Sequence, residues 1–173
     1  MYPIITSKRL IMRHVGCDDV DNIQRCILDS RIYEMVARIP PNQPRNATQD
    51  WISTHAEARI AKTDFVYAIT LEQKFIGIIG LHRPTTRDLF ELGYWMCPTA
   101  WGKGYATEAG KAVLLNLDRS LGPQKTLSGY FADNLASGRV LEKLGYIQTG
   151  LEQAHCVGRN KTLPKVMLER AAS

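Results

Sequence analysis

Gly102 and Gly104 stand one residue apart between the apolar run Leu89–Cys97 and a long stretch of helical period, in the sequence LFELGYWMCPTAWGKGYATEAGKAVLLNLDRSL. Glycines at the start of a helix let backbone N–H groups face outward, and the helix N-terminus adds partial positive charge, so the join is suited to an anion, most often phosphate. A P-loop reading fails. It needs four residues between its glycines and then Lys-Ser/Thr, whereas five residues separate Gly104 from Gly110 and Ala112 follows Lys111. A dinucleotide fingerprint counted from Gly102 would want Gly or Ala where Thr107 stands, and no repeating βαβ pattern follows. The other residues with chemical potential are Glu91, Asn134 and Ser137. Glu91 is acidic in an otherwise apolar run, where burial raises a carboxyl pKa toward that of a general base; a solvent-facing or salt-bridged glutamate is the plainer reading. Asn134 and Ser137 lie one helical turn apart on one face, a spacing also suited to an N-cap and a first-turn residue.

The elements that would position these residues follow from periodicity. Arg9–Val15 alternates as a first strand, and Asp18 can cap an amphipathic helix carrying Val20, Ile23, Ile27 and Leu28 to about Ser30. Prolines 40, 41 and 44 forbid a continuous helix through 31–47, and Thr48 can cap a second helix bearing Trp51, Ile52, His55 and Ala56. Phe65–Leu71 and Phe75–Leu81 read as strands joined by a hairpin-length connection, Glu72-Gln73-Lys74, with Thr85–Asp88 turning the chain into the strand Leu89–Cys97, where Pro98 stops it. Tyr105–Leu121 is helical and ends at Gly122-Pro123; Thr126–Ala132 is a strand, and Asn134–Leu144 a helix with Gly145 as a left-handed cap. Tyr146–Leu151 and Lys165–Glu169 read as the last strands. The order β-α-α-β-β-β-α-β-α-β-β predicts a single mixed α/β domain over residues 1–173, with helices on both faces of the sheet.

Composition narrows the function classes. A hydrophobic content of 45% and a charged content of 23% are those of an ordinary globular domain. No apolar run reaches the roughly 20 residues of a membrane span, and the N-terminus lacks a signal-peptide core, which predicts a cytoplasmic protein. Cys17, Cys26, Cys97 and Cys156 have no metal-ligand spacing and read as reduced thiols; no metal is expected. The net charge of +5 suits an anionic ligand or a slightly basic surface, since the basic residues are scattered and no nucleic-acid-binding signature is present.

The join Trp101-Gly102-Lys103-Gly104-Tyr105-Ala106 resembles the acyl-CoA motif of the GNAT N-acetyltransferase superfamily, Arg/Gln-x-x-Gly-x-Gly/Ala, with Trp101 in place of Arg or Gln. The stretches YWMCPTAWGKGYATEA, TSKRLIMRHV and Asn134–Tyr146 are similar to its RimJ/RimL-like branch, the ribosomal-protein N-terminal acetyltransferases. The resemblance implies a GNAT fold and acetyl-CoA as co-substrate. It implies phosphates on the N–H groups of Gly102 through Thr107, with Lys103 as flanking charge. It further implies pantetheine pairing with backbone along Trp95, Met96 and Cys97, the Met96 N–H polarising the acetyl carbonyl. Asn134 would bond the pantetheine arm and Ser137 would donate to the departing sulfur, with Tyr146 as the alternative acid. Glu91 would act as base through water. Read from their own positions, His82 near a strand end is a weaker base candidate, with a hydrogen-bonded structural histidine the plainer reading, and Glu108 would steady the first helical turn against the dipole. The first two helices would form an acceptor wall, with Tyr33, Arg38 and Arg45 as contacts. The acceptor stays open between a protein N-terminal amine and a polyamine, amino acid or amine antibiotic. A non-catalytic acyl-CoA sensor is a different reading, and monomer and homodimer both remain open.

Overall fold

Alternating and continuous apolar runs in the middle of the chain give strands that must be covered on both faces, and the computed structural model, which describes residues 1–84 and 88–172, has them so covered. Strands β1 (Ile4–Thr6), β2 (Leu10–His14), β3 (Asp64–Leu71), β4 (Lys74–His82), β5 (Phe90–Met96), β6 (Thr126–Phe131), β7 (Ile147–Cys156) and β8 (Lys161–Arg170) form one mixed sheet in the order β1-β2-β3-β4-β5-β6-β8-β7. Among the described residues, only β5 and β6 pair in parallel. Helices α1 (Val20–Ile27), α2 (Ser30–Tyr33), α3 (Arg45–Ser53) and α4 (His55–Ile60) precede β3, whereas α5 (Tyr105–Leu121) and α6 (Leu135–Lys143) flank β6.

The two faces carry separate cores. Val20, Ile23, Ile27 and Ile52 from α1 and α3 pack on Val66, Ala68 and Ile78. Ala109, Val113, Leu117 and Leu141 from α5 and α6 pack on Tyr67, Ile69, Ile79, Leu81, Phe90 and Leu92. Alternation therefore sends Glu91, Gly93 and Trp95 of β5 toward the α1–α4 side, and Leu92, Tyr94 and Met96 toward α5 and α6.

Several boundaries differ from the sequence expectation. A short strand, β1, precedes the first predicted one and is held antiparallel on β2. The cap of the first helix is replaced by a 3-10 turn at Cys17–Asp19, in which buried Asp19 accepts from the Gly16 N–H (3.0 Å) and pairs with Arg13 (2.7 Å). Thr48 does not cap the second helix. That helix starts at Arg45, and the Thr48 hydroxyl, fully buried, accepts from Gln24 Nε2 (2.6 Å) and Gln43 Nε2 (2.8 Å). The last two strands are longer than predicted, because each completes the other's hydrogen bonding out to a hairpin at 157–160; Pro164 sits within β8 opposite Gln153. Glu72 and Gln73, with φ of +48° and +65°, make the left-handed two-residue turn between β3 and β4. Of the expected turn Thr85–Asp88, residues 85–87 lie outside the described residues.

The cysteines are corrected as well. Cys26 on α1 and Cys97, just past β5, form a disulfide across a sequence separation of 71, leaving Cys17 and Cys156 as free thiols. Spacing could not reveal this pair, because it arises where α1 crosses the sheet beside the end of β5. Among the described residues no helix is long and apolar enough to cross a membrane, and no cluster of His, Cys, Asp or Glu could hold a metal.

Candidate active site

Among the described residues, strands β5 and β6 pair only at Phe90–Thr126 and Glu91–Leu127. Beyond that point β5 continues alongside β4 as far as Met96, while β6 continues alongside β8. A gap thus opens in the middle of the sheet. The direction of the β5 backbone in the gap follows from alternation. Cys97 N–H donates to the Ile76 carbonyl on the β4 side (2.8 Å), so the odd-numbered residues of β5 turn their backbone groups to β4. The even-numbered residues face the other way: the Leu92 carbonyl accepts from Ser128 Oγ of β6 (2.8 Å), and the Met96 carbonyl accepts from Trp101 Nε1 (2.7 Å). The groups exposed to the gap are therefore those of Tyr94 and Met96. This corrects the stretch Trp95–Cys97 as a pairing edge, since Trp95 and Cys97 direct their backbone toward β4 and Cys97 is also tied to Cys26.

The glycine turn lies at the end of this gap. Gly102 and Gly104 adopt φ of +74° and +78°, conformations that L-side chains rarely take. The first intrahelical bond of α5 runs from the Glu108 N–H to the Gly104 carbonyl, so the N–H groups of Tyr105, Ala106 and Thr107 have no acceptor within the helix. With the backbone of the exposed residues Gly102, Lys103 and Gly104 they place a run of N–H groups at the positive end of a 17-residue helix, an arrangement suited to a pyrophosphate. Lys103 Nζ donates to the Thr99 carbonyl (2.9 Å) and stays beside the turn. Trp101, where the motif has Arg or Gln, uses its indole N–H to pin the Met96 carbonyl, coupling the turn to the end of β5.

Glu108 holds this turn from behind. Its carboxylate accepts from Ser7 Oγ (2.8 Å), Arg9 N–H (2.8 Å) and Arg9 Nε (2.7 Å), while Arg9 Nη2 donates to the Lys103 carbonyl (3.2 Å) and its guanidinium stacks on Tyr105. Burial pushes the Glu108 carboxyl up, but the bonds from Ser7 and Arg9 outweigh it and leave the pKa below the usual value. The motif near the N-terminus thus serves the glycine turn, a link that no local pattern announces.

Asn134 caps α6, its side chain accepting the Ser137 N–H (3.2 Å). Gly138 lets α6 lie directly on Tyr130, since a Cβ there would come within 2.7 Å of that ring. Ser137 Oγ is thereby placed 2.9 Å from the Tyr94 hydroxyl, on the gap side of β5. Tyr146, the alternative acid, is elsewhere: it is 3% exposed, and its hydroxyl lies 2.8 Å from Thr126 Oγ1 at the closed end of the gap. Burial pushes its phenol up to about 12, against the opposing bond to Thr126.

Glu91 does not sit where a direct base would. It is five residues before Met96, about 16 Å along a strand rising roughly 3.3 Å per residue. Its carboxylate is half-exposed and paired with Lys165 Nζ (3.3 Å), which also approaches Glu152 (3.7 Å). His82 is bonded to Asp64 (3.1 Å). Of the expected acceptor wall, Arg45 is an exposed partner of Asp21 (2.8 Å) and Arg38 is exposed; Tyr33 belongs to the segment 33–37 that packs on the β7–β8 hairpin, where Arg159 Nε donates to the Glu34 carbonyl (2.6 Å) and the Val157 N–H to the Ala37 carbonyl (3.0 Å).

A family model described as an acetyltransferase (GNAT) domain matches residues 9–147. The chain belongs to the GNAT acetyltransferase family. As a GNAT protein it is an acetyl-CoA-dependent N-acetyltransferase, and the open β5–β6 gap and the glycine turn fit that co-substrate. It is 28% identical over 155 residues to an uncharacterized N-acetyltransferase, YoaA, of Bacillus subtilis, covering 87% of this chain and 86% of that one. In fold it is similar to RimJ of Mycobacterium smegmatis in complex with CoA-disulfide, with a TM-score of 0.86, 17% identity, and 99% and 88% of the two chains covered. It is likewise similar to RimL, a ribosomal L7/L12 alpha-N-protein acetyltransferase in complex with coenzyme A, with a TM-score of 0.85, 15% identity and 98% of each chain covered.

Proposed function

We propose that this GNAT protein acetylates a protein N-terminal α-amine by direct attack in a ternary complex. The observation that carries the reading is the β5–β6 gap, because Met96 can turn its N–H into it to polarise an acetyl carbonyl, while Ser137 Oγ reaches the hydroxyl of Tyr94 on the same strand. The phosphates of CoA rest on the N–H groups of Gly102 to Thr107, Lys103 adds charge, and Asn134 bonds the pantetheine arm while capping α6. Tyr94 offers the backbone groups that pair with pantetheine like an added strand, while the Met96 N–H is kept for the acetyl carbonyl. The amine nitrogen attacks the carbonyl carbon, the Met96 N–H takes the developing oxyanion, and Ser137 donates to the departing sulfur. A CoA thiol, with a pKa of about 8.5, asks little of an acid.

Base demand favours the α-amine. Glu91 is distant from Met96 and engaged by Lys165, so its help is limited to a water-borne proton path. An α-amino group, with a pKa of about 7.7–8.0, is partly neutral near pH 7 and tolerates this, whereas a lysine at about 10.4 does not. The fold likeness to RimJ and RimL points the same way.

The test is a mass-spectrometric screen in which protein and acetyl-CoA are incubated with ribosomal proteins, N-terminal peptides, polyamines, amino acids and aminoglycosides. A gain of one acetyl group on α-amines alone is the expected result. Acetylation confined to polyamines or aminoglycosides would replace the acceptor, and measured CoA binding with no transfer to any class would favour a sensor.

A further inference from the structure

Tyr94 opens the stretch YWMCPTAWGKGYATEA, in which the resemblance gives it no role, yet it bridges the two walls of the site. It sits on the gap-facing set of β5 residues, and its hydroxyl lies 2.9 Å from Ser137 Oγ and 3.4 Å from the Ser137 carbonyl on α6. A serine hydroxyl has one proton and two lone pairs, and left alone it rotates to the nearest acceptor. We propose that Tyr94 is a positioning residue for the leaving-group step: its phenol O–H donates to Ser137 Oγ, and this turns the serine's own proton toward the sulfur. The inference rests on the role given to Ser137 above.

Either hydroxyl can donate across the 2.9 Å contact; with the phenol as donor, the serine proton is released toward the sulfur, and the two O–H groups act as a chain in which each bond strengthens the next. Burial pushes the Tyr94 phenol up to about 12, the bond to Ser137 partly opposing, so Tyr94 stays protonated and orients rather than shuttles. In the transfer the amine nitrogen bonds to the acetyl carbon and the C–S bond breaks with its electron pair on sulfur. The amine loses one proton to water, and the thiolate gains one from the Ser137 hydroxyl, which water reprotonates; Tyr94 begins and ends as a phenol.

The test reads the thiol of bound CoA and needs no acceptor. Complexes of CoA with wild type, Tyr94→Phe, Ser137→Ala and the double variant are titrated by ultraviolet thiolate absorbance, with the matching desulfo-CoA complexes as blanks for the protein's own thiols and phenols. Melting curves and calorimetric CoA affinities establish that each variant folds and binds. A donated bond to the thiolate lowers the thiol pKa, so Tyr94→Phe should raise it by about one unit, a tenfold change in thiolate equilibrium. The same substitution should have no effect when Ser137 is already alanine. A normal pKa in Tyr94→Phe with a raised one in Ser137→Ala overturns the role of Tyr94 and keeps that of Ser137. Equal shifts from Tyr94→Phe in both backgrounds also overturn it, since the effect would bypass the serine. If neither single variant moves the thiol, the Ser137 reading itself fails.

Discussion

Replacing Gly104 with alanine separates a phosphate cradle from a mere tight turn. The residue holds φ of +78°, and an added Cβ would meet only Arg9 Nη2, at 3.7 Å, an ordinary contact. The folding cost is therefore that of a left-handed L-residue, about 1–2 kcal/mol. For a chain of this size that lowers the melting temperature by about 2–8 °C, leaving the protein folded at 25 °C. The ligand meets a larger penalty, because the methyl group stands beside N–H donors that the pyrophosphate needs. Losing one charge-assisted hydrogen bond of about 1.5–3 kcal/mol weakens CoA by about tenfold to a hundredfold, at about 1.4 kcal/mol per factor of ten. Titration calorimetry with CoA, beside a melting curve of the same sample, gives both numbers. A Gly104→Ala protein that melts within this range yet binds CoA within twofold of wild type would refute the assignment of the pyrophosphate to this turn. Gly104→Asn, whose side chain tolerates the left-handed region, should restore much of the melting temperature but not the affinity.

Two further outcomes are expected. His55 is 2% exposed, with neither ring nitrogen hydrogen-bonded, and burial pushes its pKa down to about 4, with His82 and Arg59 adding to the effect and Asp64 opposing it. Its folded pKa lies below the unfolded value of about 6.5, so its contribution is complete above that value and is lost as pH falls toward 4, by about 3 kcal/mol in all. Urea melts from pH 7 to pH 4 should show this slope in wild type and a shallower one in His55→Phe; identical slopes would refute it. The Cys26–Cys97 disulfide closes a loop with a sequence separation of 71, worth up to about 4 kcal/mol on a chain-entropy basis. A reductant should lower the melting temperature of wild type, by about 10 °C, and leave Cys26→Ser unchanged; no shift in a sample shown by mass to be oxidised would refute the pairing.

The sequence by itself determined most of the central elements of this protein and the place of its glycine turn. Periodicity marked the strands Phe65–Leu71, Phe75–Leu81 and Leu89–Cys97 and the helix Tyr105–Leu121, because each is fixed by local contrast between buried and wet positions. Gly102, Gly104 and Gly145 were legible because a positive φ restricts the residue type on the spot. Asn134 was legible as a cap for the same local reason.

Tertiary structure alone decided what meets what across the sheet. The short β5–β6 pairing depends on where β6 parts from β5 to follow β8, an event spread over three strands. It selected Tyr94 and Met96 rather than Trp95 and Cys97, since which backbone groups face a gap depends on which neighbour takes the others. Glu91 met Lys165 from β8, which the sequence left open between a buried base and a salt-bridged glutamate, and Glu108 met Ser7 and Arg9 from a distant part of the chain, where the sequence suggested a simple dipole contact. Likewise Cys26 reached Cys97, and the Tyr94 hydroxyl reached Ser137, 43 residues away. Such partners leave no local pattern, because their spacing in the chain is set by the path of the intervening elements and not by the geometry of the contact.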